Sequence, residues 1–254
     1  MTIESPRAPQ RPEAFTLHGD TRTDPWFWLR NSEDPAAMEY LRAENAYTEI
    51  VMQSTEDLQG RLYDEMRARI KEDDSTVPEK DGEYYYYIRY NKGEQYPIYC
   101  RKHGALEADE EVILNANELA KGLDYLQVGA LENSPDHKLL AYSLDTDGSE
   151  KFTIHIKNLE TGELLPDTIT DSYYALEWAN DNRTLFYDVL DDSHRPVKIL
   201  RHTLGQDPSD AVLVYQELDD RFFVSVGKST SEKFIYIVAG GNNMAEWRFL
   251  DANQ

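Results

Sequence analysis

Several groups of residues have the types and spacing that could carry chemistry. The run Gly227-Lys228-Ser229-Thr230 has the ending of a phosphate-binding loop, in which backbone amides and a lysine cradle the phosphates. Such a loop needs a glycine five positions before Gly227, where this chain has Phe222, and no helical pattern follows. Asp145, Asp147 and Gly148 suggest a calcium loop built on carboxylates and backbone carbonyls. An EF-hand places its glycine sixth and a glutamate twelfth; counted from Asp145, Gly148 is too early. A turn between two strands is therefore expected there. The histidines (His18, His103, His137, His155, His194 and His202) show neither HExxH nor paired metal-ligand spacing. No nucleophile elbow exists, since Gly240-Gly241 leads into Asn242-Asn243 and not into serine. Acidic residues are too many for one acid–base pair to be singled out. The expectation is a chain with no catalytic residue, no cofactor and no metal site.

Composition narrows the partners. The 254 residues carry 26 basic and 48 acidic side chains, a net charge of −22. That surface repels nucleic acid and anionic lipid and attracts cationic ligands. The single cysteine, Cys100, excludes an internal disulfide and reads as a packed thiol on a strand beside Tyr99. The first fifteen residues have no apolar core of a leader peptide, and no apolar run approaches a membrane span. Asn182-Arg183-Thr184 matches a glycosylation acceptor and reads as a turn. A soluble, cytoplasmic protein is expected.

The elements that would position such residues fall into two regions, 1–75 and 76–254. Residues 1–17 form a Pro-rich polar arm. Trp26, Phe27, Trp28 and Leu29 follow in a loop-like setting and must be covered by something. Asp34-Pro35 starts a helix, with Asp34 as N-cap and Pro35 in the first turn. A second helix is expected from Ser54, where Ser54 and Asp57 resemble a capping box. Leu58, Leu62, Met66 and Ile70 recur every four residues and make one apolar stripe.

After Pro78 the chain becomes strand-rich and repeats. Tyr86, Tyr142, Tyr187 and Tyr236 each end the first strong strand of a unit, at gaps of 56, 45 and 49 residues. Twelve residues after each lies the centre of the next strand, at Ile98, Ile154, Ile199 and Arg248. Glycine turns follow at Gly104, Gly162 and Gly205. Four strands per unit at this period are the blade pattern of a β-propeller, whereas a sandwich has no reason to keep a twelve-residue offset. The units are read as 76–123, 124–171, 172–217 and 218–254. The last runs out after its third strand, so either the N-terminal arm completes that blade or the chain is part of something longer.

The stretch His18–Arg30, HGDTRTDPWFWLR, resembles the N-terminal signature of the prolyl oligopeptidase family, through Asp24, Pro25, Trp28 and Leu29. Further matches are to its oligopeptidase B branch: Leu41–Tyr47, Asn158–Gly162, Trp178–Asp181, Arg201–Gly205 and Asp219–Ser225, in the right order. The resemblance implies a cytoplasmic serine peptidase cleaving short peptides after Arg or Lys. It implies a seven-bladed propeller that filters substrates by size, capping a C-terminal α/β-hydrolase domain absent from this chain. On that reading the chain is mainly β: a helical segment, then blades 1–3 and most of blade 4. The triad, the oxyanion hole and the pocket for the basic residue belong to the absent domain. A stand-alone propeller acting as a binding module is the alternative, and a propeller glycosidase with paired carboxylates has only the fold class in its favour.

Overall fold

A computed structural model describes residues 4–253, and the chain divides into two compact units, Met1–Lys71 and Glu72–Gln254. In the first, the arm is not a loose tail. Its strand β1 (Glu13–Leu17) pairs antiparallel with β2 (Asp20–Asp24), and the two-residue turn His18-Gly19 has both residues at positive φ, 54° and 82°. That is the turn whose twist suits a tight hairpin. The arm then covers the aromatic run: Arg11 lies 4.1 Å over the Trp28 ring, the Trp28 indole donates to the Pro9 carbonyl, and Phe15 packs on Phe27 at 4.5 Å. Phe27 and Trp28 sit in a short 3-10 helix, Phe27–Arg30, half-buried, while Trp26 stays 45% exposed.

Helix α1 (Pro35–Met52) starts as expected, with the Asp34 carboxylate accepting from the Ala36 amide at 2.9 Å. The expected second start is corrected. A 3-10 turn, Gln53–Thr55, carries α1 into α2 (Glu56–Ala68), and Ser54 lies inside that turn instead of capping α2. Helical backbone runs almost unbroken from Met52 to Glu56, so α2 has few orphan amides for a capping box to satisfy. The apolar stripe expected on the second helix is not covered within this unit. Leu58, Leu62, Met66 and Ile70 are 47–66% exposed, and Ala37 is the only residue of α1 or α2 among the described residues to be fully buried.

The second unit is an incomplete β-propeller built from antiparallel strands. Blade 1 contains β3 (Asp74–Ser75), β4 (Glu79–Asp81), β5 (Tyr84–Tyr90), β6 (Ile98–His103) and β7 (Glu110–Asn115), followed by the one-turn helix α3 (Ala116–Leu119). Blade 2 contains β8 (Gln127–Asn133), β9 (Leu139–Asp145), β10 (Phe152–Asn158) and the first half of β11 (Leu164–Trp178). The second half of β11 is the innermost strand of blade 3, which continues with β12 (Thr184–Leu190), β13 (Pro196–Thr203) and β14 (Val212–Gln216). Blade 4 contains β15 (Phe223–Lys228), β16 (Phe234–Gly240) and β17 (Ala245–Asp251). Blades 2 and 3 therefore form one seven-stranded sheet, joined through a strand that the sequence suggested was two.

The core lies between blades, in three layers. Tyr142, Leu140 and Ile113 fill the first, Trp178, Tyr187 and Ile154 the second, and Phe186, Ile199 and Ile235 the third. The aligned tyrosines thus stand on β5, β9, β12 and β16 because period-two alternation sends one face of each blade into its neighbour. Arg248 breaks the apolar pattern at its position and lays its guanidinium 4.2 Å over Tyr215 of blade 3. The turns before the tyrosine strands share a left-handed residue, at Gly82, His137, Asn182 and Glu232. Neighbouring turns touch: the Asp136 amide donates to the Asn182 side chain, and the Asn180 side chain donates to the Glu232 carbonyl.

Candidate functional site

The residues singled out for chemistry serve structure. Asp145 is buried, its Oδ1 accepting from the Asp147 and Gly148 amides and its Oδ2 from the Glu150 amide, so the calcium-like loop is a turn held by one carboxylate. Among the described residues no group of three His, Cys, Asp or Glu side chains could hold a metal ion. Cys100 is buried, which pushes its thiol up to about 11, away from thiolate chemistry. His155 packs 5.7 Å from Tyr142 and burial lowers its pKa. His137 bonds Tyr86 through Nδ1 at 2.9 Å, and its carbonyl accepts from Arg101. His202, buried on β13, bonds the Asp167 carboxylate at 2.8 Å; the other donor to that oxygen is the Gly205 amide, not a hydroxyl nucleophile.

Lys228, from the run that resembled a phosphate loop, ends strand β15 with its side chain 14% exposed. Its ammonium lies 3.4 Å from the Glu177 carboxylate of β11, so it faces an acid and no anion-binding nest. The preceding Gly227 has no room for a side chain, since a Cβ there would stand 2.6 Å from the Tyr236 hydroxyl. Glu132 of β8 lines the same cavity, of about 580 Å³, together with Asp188 of β12 and Tyr173 of β11. Three successive innermost strands thus bring Glu132, Glu177 and Lys228 onto one wall.

Electrostatics sets this wall apart. Burial pushes Glu132 up to about 7, the charge of Glu177 adds to that, and Lys228 opposes it. The Glu132 side chain itself is exposed to the solvent of the cavity. Glu177 is raised by burial against the pull of Lys228. Asp188, 2% exposed, is pushed up to about 7 by burial, although it accepts from the Ala175 amide. The site can hold a proton near neutral pH and favours positive charge; it offers no activated nucleophile. Sequence reading passed over these carboxylates as too common, yet a signal existed. Glu132 and Glu177 each stand five residues before the left-handed residue of a turn, His137 and Asn182, so the repeat superposes them.

Residues 6–254 match the family model described as prolyl oligopeptidase, N-terminal β-propeller domain. The chain is 41% identical over 249 residues to dipeptidyl aminopeptidase BI of Pseudoxanthomonas mexicana, covering 91% of this chain and 34% of that protein. It is 36% identical to Protease 2 of Moraxella lacunata, covering 99% of this chain and 37% of the relative. Among solved structures, oligopeptidase B from Leishmania major superposes with a TM-score of 0.90 at 29% identity, covering all of this chain and 38% of that one. The chain spans little more than a third of the length of these relatives.

Proposed function

Because the chain belongs to the prolyl oligopeptidase family of serine peptidases, as its N-terminal β-propeller part, we propose that it serves an oligopeptidase B-like enzyme that hydrolyses short peptides after Arg or Lys. The observation that carries this reading is the match along residues 6–254, joined to the fold likeness with oligopeptidase B. The propeller gates substrates by size, admitting oligopeptides and excluding folded proteins. Catalysis belongs to a C-terminal α/β-hydrolase domain, and the 254 residues alone are inactive. The uncovered apolar stripe of α2 supports such a partner domain, since exposed stripes of this length are costly in water. An acidic surface and an acidic cavity wall suit basic peptides.

Assay of the full-length protein on chromogenic peptides ending in Arg, Lys or an uncharged residue, with and without a serine-reactive inhibitor, tests the reading. Inhibitor-sensitive release after Arg and Lys is expected, with an intact folded protein left uncut. Preference for an uncharged residue would overturn the specificity. The 41% identity to a dipeptidyl aminopeptidase favours a second reading, removal of dipeptides from free N-termini. An N-terminally blocked peptide separates the two, because only an endopeptidase cleaves it.

A further inference from the structure

The cavity of about 580 Å³ between the inner strands of blades 2, 3 and 4 owes the shape of its wall to an irregularity in β11. Ser172 faces Val189 of β12 and Leu176 faces Tyr187, so four steps along β11 are matched by only two along β12. A strand in regular register sends successive side chains to opposite faces. Here the slack turns Tyr173 and Tyr174 both onto the cavity, their ring centroids 4.5 Å apart. Tyr174 is held by the buried ring of Phe152 at 4.8 Å, and its hydroxyl accepts from the Gln127 side chain at 2.9 Å. It nevertheless stays 39% exposed. A third ring, Tyr236, reaches the cavity across Gly227, whose missing side chain leaves it the room.

The charges on the wall are not balanced. Lys228 is matched by Glu177, 3.4 Å away. Asp188, 2% exposed, accepts from the Ala175 amide at 3.0 Å, and among the described residues no Lys, Arg or His side chain pairs with it. A buried carboxylate without a counter-ion is costly, and this one lines a cavity that solvent reaches. Glu132 adds an exposed carboxylate to the same wall. Aromatic rings beside an unmatched carboxylate suit a flat, weakly hydrated cation, whose face lies on a ring while its edge donates to the carboxylate. We propose that this cavity is a binding subsite for the guanidinium of an arginine side chain, stacked on Tyr174 and paired with Asp188. An ammonium would make the ion pair but not the planar stack. That the arginine arrives in a peptide rests on the peptidase reading; that the cavity takes a guanidinium does not.

Fluorine NMR on the full-length protein carrying fluorotyrosine reads the subsite locally, the Tyr174 resonance being the one missing from Tyr174→Phe. The probe is an octapeptide whose only basic residue is a C-terminal arginine, so it offers no bond after arginine to be cut. The reference is its citrulline twin, uncharged and nearly isosteric. At about 0.15 M salt, where steering by the surface charge is screened, the arginine peptide is expected to shift the Tyr174 resonance saturably, and the twin to bind at least about tenfold more weakly. Asp188→Asn keeps an acceptor for the Ala175 amide and should weaken the arginine peptide by about tenfold, the other tyrosine resonances reporting that the variant is folded. Glu107→Gln, which removes an exposed acid from blade 1, should leave the affinity unchanged. A Tyr174 resonance that neither peptide moves, that both move alike, that arginine moves equally well in Asp188→Asn, or whose shift is lost in Glu107→Gln would overturn the subsite. Because binding is read without turnover, a protein that shows the expected shift yet does not cleave after Arg or Lys would refute the peptidase reading and leave the subsite standing.

Discussion

Single residues show how closely the repeat is filled. Gly227 faces Tyr236, and a methyl group would meet its hydroxyl and ring at 2.6–2.8 Å. Gly227→Ala is expected to destabilise the propeller by about 1–3 kcal/mol, the usual effect of overpacking, read as a lowered urea midpoint. Asp188 makes a different prediction. Its folded pKa is raised to about 7, so its contribution is present at acid pH and lost as pH rises through that value. Asp188→Asn should flatten the decline of Tm between about pH 5 and about pH 8 while retaining an acceptor for the Ala175 amide. An unchanged slope would show that this carboxyl does not titrate there. The histidines were legible only as scattered. That Asp167 and His202 pair inside the protein could not be read from sequence, because the pairing follows from how β11 crosses to blade 3.

At the scale of elements, local signals were clear where the backbone is regular. The Asp34 cap could be read because Asp-Pro states both the acceptor and the first-turn geometry. Asp34→Ala is expected to lose about 1 kcal/mol of helix stability, whereas Ser54→Ala should be neutral because Ser54 caps nothing; thermal melts of the two variants compare them directly. The hairpin of β1 and β2 went unread because prolines precede it and its turn is His-Gly instead of the usual Asn-Gly. Strand β11 was legible as two strands and not as one because Pro166 and the acids Asp167 and Asp171 look like loop. The strand accommodates them with positive φ at Asp171 and an irregular register between Ser172 and Leu176.

For the whole molecule, the repeat was the legible part, because buried Tyr and Ile positions recur wherever blades stack. The cavity wall was not, since its members are 45 and 51 residues apart and come together only when the inner strands are neighbours. The same geometry makes a prediction about cooperativity. Strands β8 to β14 share one hydrogen-bonded sheet, whereas β5–β7 and β15–β17 belong to separate sheets. Native-state hydrogen exchange should find blades 2 and 3 opening as one unit, with blades 1 and 4 opening independently. Separate opening of blades 2 and 3 would mean that β11 does not couple them.

Strand β11 also decides how this propeller can be recombined with its relatives. A crossover inside 164–178 would give the two blades that share the strand halves chosen in different proteins. Crossovers in the connections before β8 or after β14 instead exchange complete hydrogen-bonded sheets. Functional chimeras with related propellers should therefore have their junctions at those two connections, and libraries that place them within β11 should be depleted of folded members.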